Sequence, residues 1–400
     1  MSVRTSGPST TLEPPAESVS ILRPSPRALF QYFLMLGATG FGGPIALVGY
    51  MEREFVDRRR WATAQELRDG LAFSQLAPGP LAAQLAIYLG WLCGGVRGAT
   101  LSGVAFVGPS FSIVIVLAAL YSRFGGIGWL QGAFYGIGAA VIAIVARSAL
   151  RLTRTVLAGD RLLWCLFAIS ALTTAWREAE VGVLFVLSGL IAMMMRTSMR
   201  DAKTVGAAAF GYPWMVASFA GAMSAPTSLA VFAYFASAGL FVFGSGLAIV
   251  PFLHGGVVQQ HHWLTERQFL DAVAVALITP GPVVITVAFI GYLVAGTLGA
   301  IAAAAGVFAP VYLLTLVFAP HFDRLKTNNR VRAFVDGVTA AATGAIAGAA
   351  FVLGRRAIVD LTTAGIAIAT LVILMRVRSI PEPVVILAAG IAGVIVRAST

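Results

Sequence analysis

Leu76-Ala77-Pro78-Gly79-Pro80-Leu81 and, 202 residues later (280 minus 78), Ile278-Thr279-Pro280-Gly281-Pro282-Val283 each interrupt a long apolar stretch. Each proline lacks an N–H and disfavours helical geometry in the residue before it, yet proline is welcome in the first turn of a new helix. A half-helix is therefore expected to begin near Pro80, and another near Pro282. Backbone freed at such a break cannot face lipid, so it is buried in protein or lines a watery cavity. The N-terminus of the new half-helix offers unpaired N–H groups and a positive dipole end to an anion. A plain packing kink explains one such run; two at matching positions favour a built feature.

Other landmarks keep the same register. Phe41-Gly42-Gly43-Pro44 matches Phe243-Gly244-Ser245-Gly246, Trp61 matches Trp263 and Asp69 matches Asp271; Tyr135-Gly136 meets Asp336-Gly337 one residue out of step. The chain thus reads as a duplicated unit, as many secondary transporters are built. The expected domains are a polar tail (1–27), a first membrane domain (28–203), a connecting segment able to cross the membrane (204–227) and a second membrane domain (228–400).

Composition fixes the class. The 400 residues are 58% hydrophobic and 11% charged, against roughly 25% charged in an average soluble chain. Apolar runs such as Leu101 to Tyr121 and Leu229 to Val250 approach the length of a membrane span. We expect an all-α polytopic membrane protein with about 10 to 13 membrane segments, its helices broken at Pro-Gly-Pro. The net charge of +11 sits in short connectors, the habit of cytoplasmic loops and not of nucleic-acid binders. No nucleophile elbow, phosphate loop or metalloprotease motif appears, so no enzyme is expected. Cys93 and Cys165 lie in apolar runs, and His254, His261 and His262 lack a completing ligand set, so neither metal nor cofactor is expected.

Charge placement predicts an inverted repeat. Arg53, Arg58, Arg59, Arg60 and Arg68 crowd one first-half connector whose second-half equivalent holds only Arg267, while Arg324, Lys326, Arg330 and Arg332 face essentially Arg123 alone. Arg355 and Arg356 fit this pattern poorly. Connectors 52–69 and 147–161 are both Arg-rich although three apolar segments separate them, which makes the segment carrying Pro78-Gly79-Pro80 the candidate for a re-entrant hairpin.

Candidate substrate contacts follow from the breaks: Phe41, Gly42, Gly43, Pro44, Pro78, Gly79 and Pro80 in the first half, Gly244, Gly246, Pro280, Gly281 and Pro282 in the second. Gln75, Gln84, Thr279 and Thr286 could hydrogen-bond a tetrahedral oxyanion, and helix periodicity turns Gln84 and Thr286 toward one cavity; interhelical bonding is the alternative. Arg58 and Arg60 could form an electropositive vestibule. Glu52, Asp271 and Asp336 are the carboxylates placed to couple protons, Asp336 alternatively pairing with a nearby Arg.

Phe41-Gly42-Gly43-Pro44, then Glu52 to Trp61 reading EREFVDRRRW, then Pro78-Gly79-Pro80 with Gln84 and Gly90, resemble the chromate ion transporter family. Phe243-Gly244-Ser245-Gly246, Pro251-Phe252-Leu253 and Thr279-Pro280-Gly281-Pro282 resemble its companion domain, so the likeness runs from about Arg27 to Val396 and matches the long two-domain form. The resemblance implies secondary active efflux of chromate across the inner membrane, giving chromate resistance. It implies as partners chromate, with sulfate as an analogue, and the lipid bilayer; a homodimer stays open and nucleic acid is not expected. A sulfate or other oxyanion carrier, a passive channel and a membrane scaffold are the alternatives. Many members have His where this chain has Leu47, so no side chain there relays protons.

Overall fold

The computed structural model describes residues 22–177, 182–196, 228–240, 242, 246, 249–377 and 380–399. The connecting segment 204–227 and the candidate Gly244 lie outside them. Helices form the described fold, and no strand occurs among the described residues.

The first half runs α1 (Pro26–Thr39), α2 (Gly43–Glu52) continued by a π-helical turn (Arg53–Arg58), α3 (Ala64–Leu76), α4 (Leu81–Phe124), α5 (Gly128–Leu157), α6 (Arg161–Arg177) and α7 (Gly182–Arg196). The second repeats it: α8 (Ser228–Leu240), α9 (Ile249–Leu253) with a π-helical turn (His254–Gln260), α10 (Glu266–Ile278), a 3₁₀ turn (Val283–Ile285) leading into α11 (Thr286–Phe318), a short α12 (Phe322–Lys326), α13 (Asn329–Ala357), α14 (Leu361–Arg376) and α15 (Glu382–Ser399). Even the caps repeat. Thr63 accepts from the Glu66 N–H while Glu66 accepts from the Thr63 N–H, and Thr265 and Gln268 do the same, each pair satisfying two orphan donors at a helix start.

Each half opens with two hairpins. In the first, α1 runs in and α2 returns: the Leu22 N–H donates to Arg60 O at 3.1 Å, and the Tyr32 ring meets Phe55 and Trp61. In the second, α3 runs in to Pro78-Gly79-Pro80 and the start of α4 returns, with Phe73 stacked on Tyr88 at 5.4 Å. Helix α4 then reverses again at Gly94-Gly95, whose backbone is non-helical, and Gly90 packs so closely on Gly98 and Ser102 that a Cβ would collide with both. The 13 residues of α3 reach only about 20 Å at 1.5 Å per residue, short of the roughly 30 Å hydrocarbon core. The chain thus turns back at Pro78-Gly79-Pro80 between two short arms, and α1 with α2 forms a second hairpin.

Among the described residues four helices are long and apolar enough to cross a membrane, namely Leu81–Phe124, Gly128–Leu157, Val283–Arg324 and Asn329–Ala357, with shorter apolar helices at Gly182–Arg196, Ser228–Leu240 and Leu361–Arg376. A larger number of apolar segments is visible in sequence because the hairpin arms are apolar at half the spanning length.

Polar ties sort the connectors onto two faces. Lys326 with Asp69, and Arg196 with Asp160 and Asp336, gather the base of the first-half hairpins, the α5–α6 turn and the start of α13 at one face. Arg267 with Gln131, Arg356 with Glu266 and Tyr135 with Asp360 gather the base of the second-half hairpins, the start of α5 and the end of α13 at the other. The two sets of hairpins enter from opposite faces, which is the inverted arrangement. Arg58, Arg59, Arg60, Arg151, Arg154, Arg324 and Arg330 all fall on the first face. Arg356, anomalous by charge counting, is matched by Glu266 on the second. One apolar core joins the halves, with Val114 and Ile144 packed among Phe269, Ile285 and Phe289.

Candidate functional site

The four hairpin tips meet. The Gly281 N–H donates to Gly40 O at 2.8 Å, and the Gly79 N–H donates to Val242 O at 2.6 Å. Each Pro-Gly-Pro break of one half is thereby bonded to the first hairpin of the other, at Gly40 and at Val242, and backbone groups that could find no partner in hydrocarbon are satisfied. Gly79 and Gly281 have φ of 143° and 89°. A side chain on Gly79 would press on Val311, and one on Gly281 would collide with Ser110. Glycine is required at both places by conformation and by space.

Between the tips, Pro44, Leu47, Pro80, Gly246, Gly281 and Pro282 leave a gap of about 10 Å³, room for about one water. On one side of this plug the fold opens into a cavity of about 730 Å³. Its inner end is formed by Gly42, Gly43, Pro44, Leu81 and Val283, the starts of α2, of α4 and of the turn into α11. Gln75, Ser148, Thr155, Thr339 and Thr343 supply polar side chains, and Arg151, Lys326, Arg332, Asp336 and Glu382 supply charge toward the mouth, at the arginine-rich face.

The electrostatics favour an anion. Asp336 is paired with Arg196 at 2.6 Å and Glu382 with Arg147 at 3.5 Å, and Arg151 on the cavity wall also acts on Glu382 by charge. Lys326 is tied to Asp69 and Asp323. Arg151 and Arg332 form no ion pair among the described residues. They are the lining arginines without a direct ion pair, and a planar guanidinium binds two oxygens of an oxyanion at once.

Several expected contacts therefore find their place and others do not. Gly42, Gly43, Pro44 and Gln75 line the cavity; Pro80, Gly246, Gly281 and Pro282 form the plug beneath it. Phe41 is exposed on the hairpin tip. Gln84 is fully buried with its Nε2 donating to Pro78 O at 3.0 Å; Thr286 donates to Val283 O and Thr279 to Val275 O. These three are absent from the cavity wall and brace the hairpins from within. Helical spacing gave the turn on which they lie, whereas their facing depends on packing. Arg58 is exposed and paired with Glu54, and Arg60, in a left-handed conformation, ends the first hairpin; both lie outside the cavity lining. Glu52 is exposed, Asp336 is on the cavity wall, and Asp271 is buried toward the opposite face with the Tyr121 hydroxyl donating to it at 2.7 Å. Among the described residues no group of three His, Cys, Asp or Glu side chains could hold a metal ion. Arg151 and Arg332 were visible in sequence only as positive-inside charges, a role that Arg fills whether or not it faces a cavity.

The family model described as "Chromate transporter" matches residues 27–195 and 229–394. The chain is 50% identical over 375 residues to a chromate transport protein of Cupriavidus metallidurans, covering 92% of both. It is 50% identical over 374 residues to a probable chromate transport protein of Synechococcus elongatus, covering 92% of this chain and 95% of that one. A chromate transport protein of Pseudomonas aeruginosa is 33% identical over 385 residues, 91% of each chain. No solved structure matches.

Proposed function

We propose, from the premise that this multi-pass membrane chain belongs to the chromate transporter family, that it exports chromate from the cytoplasm as a secondary active carrier of the inner membrane, giving chromate resistance. The observation that carries this reading is the cavity at one face with the plug at its inner end. It opens at the arginine-rich face, which the positive-inside rule assigns to the cytoplasm, and ends on a plug with room for about one water. A solute entering from the cytoplasm meets Arg151 and Arg332 near the mouth and the N–H groups of the α2 start at the inner end. Both suit a doubly charged oxyanion.

An inverted repeat gives the way out. The same tips, approached through the second half's equivalents, would be reached from the other face if the halves rocked about the reciprocal glycine bonds. A passive channel would need an open path, and the plug opposes it.

The test is chromate uptake into everted membrane vesicles energised by a respiratory substrate, with an uncoupler as control and sulfate as competitor. Uptake that the uncoupler abolishes and sulfate only partly inhibits is the expected result. Equal or better sulfate uptake would move the cargo to sulfate, and uptake indifferent to the uncoupler would make the protein a channel.

A further inference from the structure

The inverted repeat places two equivalent aspartates at opposite ends of the molecule, and they are tied differently. Asp69 on α3 faces Lys326 of the other half at 3.3 Å, at the arginine-rich face beside the open cavity. Asp271 on α10 faces Tyr121 of the other half at 2.7 Å, at the opposite face, where it is 3% exposed. Tyr121 is the counterpart of Phe322, which packs beside Asp69's neighbour Phe73 at 5.6 Å. Each hairpin aspartate thus meets the end of the long helix of the opposite half. One contact is an ion pair and the other joins a carboxyl to a neutral phenol.

The surroundings of Asp271 make the difference chemical. Tyr121 comes from α4, with Phe134 of α5 and Phe289 of α11 packed on its ring. Arg267, one turn earlier on α10, donates to Gln131 O on α5 at 3.5 Å and reaches Asp271 and Tyr121 by charge without touching either. From the π-helical turn, His254 bonds Glu266, which Arg356 of α13 also holds, and Arg397 of α15 lies over the Tyr135 ring. Among the described residues no cation reaches ion-pair distance of Asp271. A carboxylate buried in a membrane protein with one neutral donor is costly; a carboxylic acid there is not.

We infer that Asp271, with Tyr121, is a proton-dependent latch of the outer gate, whereas its counterpart Asp69 is held to Lys326 by charge beside the open cavity. While the outer face is shut, Asp271 keeps its proton. When that face opens and water enters, the O–H bond breaks, the proton passes to external water, and the carboxylate remains hydrated. Acid outside therefore holds the gate shut and slows turnover. This rests on the chromate-carrier reading above.

The experiment is labelled chromate exchange in right-side-out vesicles, with the interior buffered and the exterior pH varied. Wild-type exchange should fall as the exterior is acidified, by at most about tenfold per pH unit since one proton is involved. Asp271→Asn, a permanently uncharged partner for Tyr121, should exchange slowly at every exterior pH. Tyr121→Phe, which loosens the latch, should exchange faster than wild type at acid pH. Asp69→Asn should keep the wild-type exterior profile. A wild-type rate indifferent to exterior pH, or a wild-type profile in Asp271→Asn, overturns the inference. Should Asp271→Asn be inactive, a Tyr121→Phe protein with wild-type rate and profile overturns it equally. Absence of chromate exchange in the wild type would instead overturn the carrier reading itself.

Discussion

The Gly281 N–H reaches Gly40 O at 2.8 Å across the boundary between the halves, and its repeat-related copy runs from Gly79 to Val242. The break of each half is completed by the other, so neither half is self-sufficient at the place where a solute would pass. The two bonds are related by the repeat, Gly281 and Gly40 matching Gly79 and Val242.

Gly281→Ala and Gly79→Ala should therefore lower both folded yield and transport. The positive φ alone costs on the order of 1–3 kcal/mol for a residue with a Cβ, and the added methyl group meets Ser110 or Val311. Gly281→Ala is expected to be the worse, because its obstacle is a hydroxyl already bonded to Gly37 O and Gly79 meets the end of a valine side chain. Thermal unfolding in detergent, run beside transport assays, checks the order.

Gln84→Ala should act on stability more than on affinity. It removes the donor to Pro78 O from a fully buried position, at a cost of about 1–3 kcal/mol for the carbonyl left unsatisfied, offset in part by removal of the Gln84 Oε1, which is buried without a partner. The apparent chromate affinity of the protein that does fold is expected to stay within about twofold of wild type, well under the tenfold that 1.4 kcal/mol would give. A KM raised tenfold with an unchanged melting temperature would place Gln84 in the binding site after all.

Arg196 bridges Asp160 and Asp336, and Asp336 is on the cavity wall. Arg196→Ala should leave that carboxylate uncompensated where the anion enters and raise the KM for chromate. Adding Asp336→Asn should restore much of the loss, a coupling that a double-mutant cycle measures directly. Additive effects would show that the bridge does not act through the cavity.

Much of this was legible in the residues themselves. Glycine and proline constrain the backbone wherever they stand, so the breaks at 78–80 and 280–282 and their register are read directly, and arginine placement gave the inversion. The reversal at Gly94-Gly95 was not read, since Gly-Gly without proline is common in membrane helices. The facing of Gln84 and Thr286 was not read either, because a helix turn fixes spacing while packing decides which side is covered. The crossing of tips, Gly281 to Gly40 and Gly79 to Val242, depends on contacts about 240 and 160 residues apart, which no local rule reports.

Arg151 and Arg332 are the cations proposed to meet chromate in the cavity at the arginine-rich face. The most direct measurement is the chromate KM for uptake into everted vesicles by wild type and by the Arg151→Gln, Arg332→Gln double variant, at matched amounts of protein with matched melting temperatures. A charge-assisted hydrogen bond is worth about 1.5–3 kcal/mol, so the double variant should raise KM by at least an order of magnitude while its stability, with no ion pair lost, is unchanged. An unchanged KM in a stable double variant would contradict the account and place the anion elsewhere.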